Sequence, residues 1–320
     1  MTDPAPQRLA HFPITFFAVV MGLLGLALAL HATAPMVPIT GVLSPYALIF
    51  AMVVFAVIAL FYTAKWLRHP SAVRVEWQHP VKLAFFPTAS ISMLLLAVAL
   101  RDGSPQLATA FWIPGAALQG GLTLAVVSNW ISHRSFQVGH LTPAWFIPAV
   151  GNVVVPIAGV PLGFPELSWL FFSMGIMFWI VLLTLVMNRL MFHDPIPARL
   201  FPTMMIMIAP PSVGFVGYIA LVGQVDTFGR ILMNLGYVFA ALMVVQVPKI
   251  MRLPFALSFW ALSFPLAALS IAAARYGAMT GVVVHQWIGV AVCGLLVLVV
   301  LALIWRTSLA ILRGEICQPE

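Results

Sequence analysis

The residues of this chain that could do chemistry stand singly among long apolar runs. Uncharged hydrogen-bonding groups recur there: Thr15, Thr88, Ser90, Ser92, Asn152, Ser212 and Ser263. Groups of this kind can partly replace the water around an ion without trapping it. Asn152 is the costliest to bury without a partner. The hydroxyls have a competing use, a bond back to a carbonyl one turn earlier. Next to Ser263, the pair Phe264 and Pro265 interrupts the run Leu257–Tyr276. Proline removes a backbone donor, so carbonyls at membrane depth must find partners in protein or in a water-filled cavity. The segment therefore reads as a wall of an internal passage, with Phe264 as a bulky side chain able to close it. An apolar ring across a narrow passage gates by excluding water, and turning it aside costs about 0.5–1.5 kcal/mol of rotamer strain.

Other chemistries lack their residues. The centres of the apolar runs contain no Asp, Glu, Lys or Arg, whereas a proton-coupled pump needs a buried acid or histidine and tight dicarboxylate binding needs a buried cation. Lys82, Arg101, Arg189, Lys249 and Arg275 fall near run ends, where long side chains reach the interface. The eight histidines (His11, His31, His69, His79, His133, His140, His193 and His285) form no ligand pair. No nucleophile elbow, phosphate-cradling loop or haem-attachment motif is present. No catalytic residue, metal or cofactor is expected.

Composition sets the scaffold for these groups. The chain is 62% hydrophobic and 7% charged with mean hydropathy +1.08, far from the roughly 25% charged of soluble domains. It reads as an all-α integral membrane protein, one transmembrane domain over residues 1–320 surrounded by membrane lipids. The net charge of +7 is spread over short connections without a dense basic patch, which argues against nucleic acid. Cys293 and Cys317 give no disulfide framework or thiolate site. The apolar run after Arg8 is longer than the about 7–15 residues of a signal-peptide core, so it is expected to stay as a span.

Turn residues divide the chain into ten expected spans: Phe12–His31, Pro45–Trp66, Val81–Leu100, Ala108–Ile131, Pro143–Val160, Leu167–Met191, Leu200–Val222, Ile231–Val247, Phe255–Tyr276 and Val283–Trp305. Short connections make neighbours antiparallel, giving five hairpins. Placing both termini and the even-numbered connections on one side gathers twelve of the fifteen Lys and Arg there, leaving Arg101, Arg230 and Arg275 opposite. Positive residues favour the cytoplasmic side, so both termini are expected to be cytoplasmic. Every odd span carries proline within it or at its start (Pro13, Pro87, Pro148, Pro202 and Pro265), and the even spans are expected to be straight, Pro45 opening one of them. Kinked odd helices suit an inner ring around a central pore, and straight ones an outer, lipid-facing ring. Proline is also common in membrane helices generally, and a transporter with broken helices would have a similar pattern.

The motifs FPITFF (12–17), HP before FFPT (79–80 and 85–88), PAWFIPAVGN (143–152), LFPTMMIMIAPPSVG (200–214) and WALSFPL (260–266) occur in order along the chain. In these it resembles the tellurite-resistance/dicarboxylate transporter family, which includes bacterial tellurite-resistance protein A and the plant guard-cell slow anion channel. That resemblance implies five hairpins around a pore, a homotrimer with a pore in each protomer, residence in the cell's inner (plasma) membrane and conduction of small anions. It places the gating phenylalanine at Phe264. Where relatives often have glycine after the aromatic of the first span, this chain has Ala18 after Phe17. The kink and pore-lining candidates are Pro13, Thr15, Phe16, Pro87, Thr88, Pro148, Asn152, Pro202, Pro210, Ser263 and Pro265, with Lys82 at the cytoplasmic mouth. A passive anion channel is the expected activity. A secondary carrier for C4-dicarboxylates or tellurite is the alternative.

Overall fold

The computed structural model describes residues 8–132 and 136–318. His133 and Arg134, expected at the cytoplasmic face, lie outside them. The described residues form helices and 3₁₀ segments without strands. Among the described residues nine helices are long and apolar enough to cross a membrane, and the shorter apolar helix Pro143–Gly159 stands where the fifth span is expected.

The first hairpin pairs α1 (Phe17–Thr33) with α2 (Pro38–Arg68), and a short helix α3 (Pro70–Gln78) follows it. The later hairpins are α4 (Pro87–Leu100) with α5 (Pro105–Ser132), α6 (Phe146–Gly159) with α7 (Pro165–Phe192), α8 (Ala209–Val222) with α9 (Thr227–Ile250), and α10 (Ser263–Thr280) with α11 (Val283–Leu312). Each pair packs along its length. Only Gly281 and Val282 join α10 to α11. Gly281 takes φ +74°, and Gly223 after α8 takes φ +76°, left-handed conformations that glycine adopts without steric cost.

The first members of the hairpins also touch one another in a closed circuit: α1 with α4, α4 with α6, α6 with α8, α8 with α10, and α10 with α1. This is the inner ring. Burial separates it from its partners: the first, third, seventh and ninth spans are 72%, 72%, 78% and 61% buried, and their outer partners, with α7, only 11–33%. Every residue of α6 is buried. Outer helices keep Ile49, Leu60, Val245, Leu298 and many similar side chains exposed.

Each inner helix is entered through a 3₁₀ segment: Ile14–Phe16, Lys82–Phe85, Pro143–Trp145, Ala198–Ile208 and Leu257–Leu262. Proline explains this. Pro87, Pro148 and Pro265 stand in the first turn of their α-helices, where each lacks a donor and crowds the carbonyl four residues back. The preceding chain closes i to i−3 bonds instead: Phe86 to Leu83, Ala209 to Ile206, and Ser263 to Trp260. Proline content by itself does not distinguish the rings, a correction to the sequence reading. Pro45, Pro114 and Pro248 lie inside the outer helices α2, α5 and α9, which remain continuous.

Candidate functional site

The five inner helices are parallel, because each is followed by an antiparallel partner and a return. Their 3₁₀ entrances and helix N-termini therefore gather at one end of the ring. Aligned peptide dipoles make such ends electropositive, roughly half a charge each. Permanent charge is nearly absent from the ring wall: across α1, α4, α6, α8 and α10 the one Lys, Arg, Asp or Glu is Arg275.

Phe264 sits in the first turn of α10 with 9% of its surface exposed. α1 approaches it closely because glycines face α10. A Cβ on Gly22 would fall 2.2 Å from Ser263 Oγ, and one on Gly25 would fall 2.8 Å from the Ala267 Cβ and 3.7 Å from the Phe264 ring. Phe16 is 7% exposed and stacks on Phe12 with centroids 4.6 Å apart. Pro13 precedes the 3₁₀ turn that carries Thr15 and Phe16, Pro202 lies within the longest 3₁₀ entrance, and Pro210 opens α8.

The hydroxyls mostly bond to their own helices. Thr88 Oγ1 donates to the Phe85 carbonyl (2.5 Å), Ser263 Oγ to Trp260 (2.7 Å), and Ser92 Oγ to Thr88 (2.7 Å). Thr203, which the sequence reading passed over, does the same to Leu200 (2.6 Å). These bonds occupy carbonyls near the 3₁₀ junctions. Asn152 faces the outer ring: its amide nitrogen donates to Pro148 O (2.8 Å) and Thr123 Oγ1 (3.1 Å) of α5. Gln119 of α5 joins them, donating to Pro148 O (3.0 Å) and accepting from Ser90 Oγ (2.7 Å). Gly151 leaves the space that Gln119 fills, since a Cβ there would lie 2.3 Å from its amide. This network fixes α4, α5 and α6 relative to one another. Gln119 was missed in the sequence, although it stands among apolar neighbours in α5.

At the entrance end, a buried ion pair went equally unforeseen. Lys65 Nζ lies 2.7 Å from Glu76 Oε2, with side-chain exposures of 2% and 7%. Lys65 also donates to the Phe12 carbonyl (2.8 Å), while Glu76 accepts from the Ile14 N–H (3.2 Å) and the Tyr62 hydroxyl (3.2 Å). The short helix α3 thus ties the start of the first inner span to the end of α2. Lys82 begins the second 3₁₀ entrance, half-buried, and its backbone N–H donates to His79 Nδ1 (3.3 Å). At the opposite end of the ring, Arg101 donates to the Ile157 carbonyl (2.7 Å) and to Asp102 (3.2 Å).

No cluster of three or more His, Cys, Asp or Glu suited to a metal occurs among the described residues. A groove of about 290 Å³ lined by Phe17, Phe55, Tyr62, Phe86 and Met93 lies off the ring axis, between the first two hairpins.

The chain matches the voltage-dependent anion channel family over residues 11–308. It is 27% identical to an uncharacterised transporter of Methanocaldococcus jannaschii, over 97% of this chain and 98% of that protein. Identity to the Haemophilus influenzae tellurite resistance protein TehA homolog is 27%, over 86% of this chain and 83% of the relative. With the guard cell S-type anion channel SLAC1 of Arabidopsis thaliana it is 25%, over 84% of this chain and 50% of the plant protein. The match runs from the first inner helix into the last outer one, and the chain accordingly belongs to the voltage-dependent anion channel family, whose members are multi-span anion channels and transporters rather than enzymes.

Proposed function

We propose that the chain is a passive channel for small inorganic anions, that the path runs along the axis of the inner ring, and that Phe264 closes it. The observation that carries this reading is a closed ring of five parallel helices with almost no fixed charge on its wall. An uncharged wall offers no deep site, and conduction needs binding weak enough for release. Parallel helix N-termini favour anions at the entrance without supplying a titratable group. Pro13, Pro87, Pro148, Pro202, Pro210 and Pro265 act by setting the junctions that shape the path. Thr15, Phe16, Thr88 and Ser263 line it, and Asn152 holds α6 in place. Lys82 raises anion concentration at the cytoplasmic mouth.

The twelve-to-three division of Lys and Arg supports cytoplasmic termini in the plasma membrane. The exposed apolar faces of the outer helices supply surface for lipid and for the neighbouring copies of a homotrimer, a state measurable by mass photometry in detergent.

Phe264→Ala tests the gate. In planar bilayers with asymmetric chloride or nitrate, the variant is expected to raise conductance at least about tenfold, with currents reversing at the anion equilibrium potential. Unchanged current from folded variant protein removes Phe264 from the gate. The tellurite resistance in the name of the Haemophilus relative favours a second reading, a carrier for tellurite. Saturable, proton-dependent uptake without such currents is its signature.

A further inference from the structure

Arg275 stands apart from every other cation near the ring. It lies in α10, eleven residues after Phe264. That spacing corresponds to three helical turns, so the two side chains leave the same face of α10, about 16 Å apart along its axis. If Phe264 faces the path, Arg275 faces its outer mouth. Ala268 and the partly exposed Ile271 lie between them on this face.

Other arginines at that mouth already have partners. Arg101 donates to Ile157 and Asp102, and Arg230 reaches the Tyr276 hydroxyl (3.4 Å). Arg275 is half-buried and makes neither a hydrogen bond nor an ion pair with any described residue. Arg101 and Asp102 are within electrostatic reach, but Asp102 is 73% exposed and already engaged by Arg101. A guanidinium has five donors in a fixed fork. Taking it partly out of water without a counter-charge is unfavourable, and a small oxyanion or halide satisfies it.

We infer that Arg275, with Arg101 beside it, is an outer binding site for a small inorganic anion, positioned over the path three turns from Phe264. The inference rests on the channel reading for its role in conduction, though not for binding itself. The site concentrates anions at the outer mouth, and its single unpaired guanidinium releases them as readily as it collects them.

Chloride NMR line broadening on the purified, detergent-solubilised protein tests binding without conduction. Nitrate-competable broadening is expected in the wild type and in Phe264→Ala, with at least about a fivefold loss in Arg275→Gln and most of it kept in Arg275→Lys. Where Arg275→Gln does not purify as folded protein, Arg275→Met, which keeps the apolar stem, is read in its place. Broadening equal to wild type in a folded charge-neutral variant overturns the site, as does wild-type broadening that nitrate does not compete. In the Phe264→Ala background, Arg275→Gln is expected to lower anion current entering from the outer side about two- to fourfold at low salt, and to leave it unchanged at high salt. If Phe264→Ala passes no anion current while broadening still depends on Arg275, the channel reading fails and the site stands. Anion-selective current with broadening indifferent to Arg275 has the reverse meaning.

Discussion

The inner and outer helices are built from the same apolar residues, and both contain proline, yet they solve different problems. Inner helices bury both lateral faces against neighbours and meet at glycine contacts such as Gly22 against Ser263. The outer helices pack along one side and leave the other exposed, and glycines there can be idle: nothing lies within 4 Å of a Cβ on Gly121 or Gly294. The difference also governs what proline does. At an inner entrance it forces a 3₁₀ turn whose carbonyls neighbouring hydroxyls can cover, as Thr88 and Ser263 do. Within α5, Pro114 is carried in a continuous helix. Proline therefore gives a 3₁₀ turn only where it opens a buried helix.

Several measurements can break this comparison. The largest effect is expected where the two rings are tied together. Glu76→Gln leaves Lys65 buried beside an amide, and should cost about 3–5 kcal/mol, read as a lower unfolding midpoint in detergent. Replacing both partners with methionine should cost less than either single change, because no uncompensated charge remains. If Glu76→Gln is silent, α3 does not anchor the first inner span.

Next in size is a paired glycine test. Gly22→Ala drives a methyl into Ser263 and is expected to destabilise by about 1–3 kcal/mol, whereas Gly294→Ala on α11 should stay within about 0.5 kcal/mol of wild type. Equal melting temperatures for the two variants would erase the packing distinction between the rings.

The smallest effect is expected at Asp226, which caps α9 by accepting from Gly229 N–H (2.9 Å) and also accepts from the Tyr218 hydroxyl of α8 (2.5 Å). These bonds, Gly229 first, hold its carboxyl below the usual carboxylate range. A depressed folded value means that the stabilisation is complete above the unfolded pKa of about 4 and fades as pH falls through the folded one. Asp226→Asn should therefore flatten the acid-side decline in melting temperature. An unchanged decline assigns it to another group.

Much of this was legible because a bilayer imposes long apolar runs and few charges. Among the described residues, nine of the ten expected spans match helices long and apolar enough to cross, the fifth matches a shorter apolar helix, and the hairpins followed from the same constraint. The short helix Pro70–Gln78 was missed, since its nine residues have no long apolar run and stand between His69 and His79. Lys65 was read only as an orientation signal, because its burial depends on Glu76 arriving from α3. Asn152 could be recognised as a group in need of partners. Which way it turned depended on Thr123 and Gln119, both from α5.

Sequence alone determined that this chain crosses a membrane many times, that its spans pair as hairpins, and that Phe264 stands at a break beside Pro265. Those features follow from hydropathy and from proline's missing donor, which act locally. The inner ring of odd-numbered helices was expected from the sequence as well; only the tertiary structure decided that α3 locks the first entrance, and that Arg275 has no hydrogen-bond or ion-pair partner among the described residues while Arg101 and Arg230 are engaged. Such outcomes depend on which side chains from distant segments arrive within hydrogen-bond reach, and spacing along one strand of text does not encode that distance.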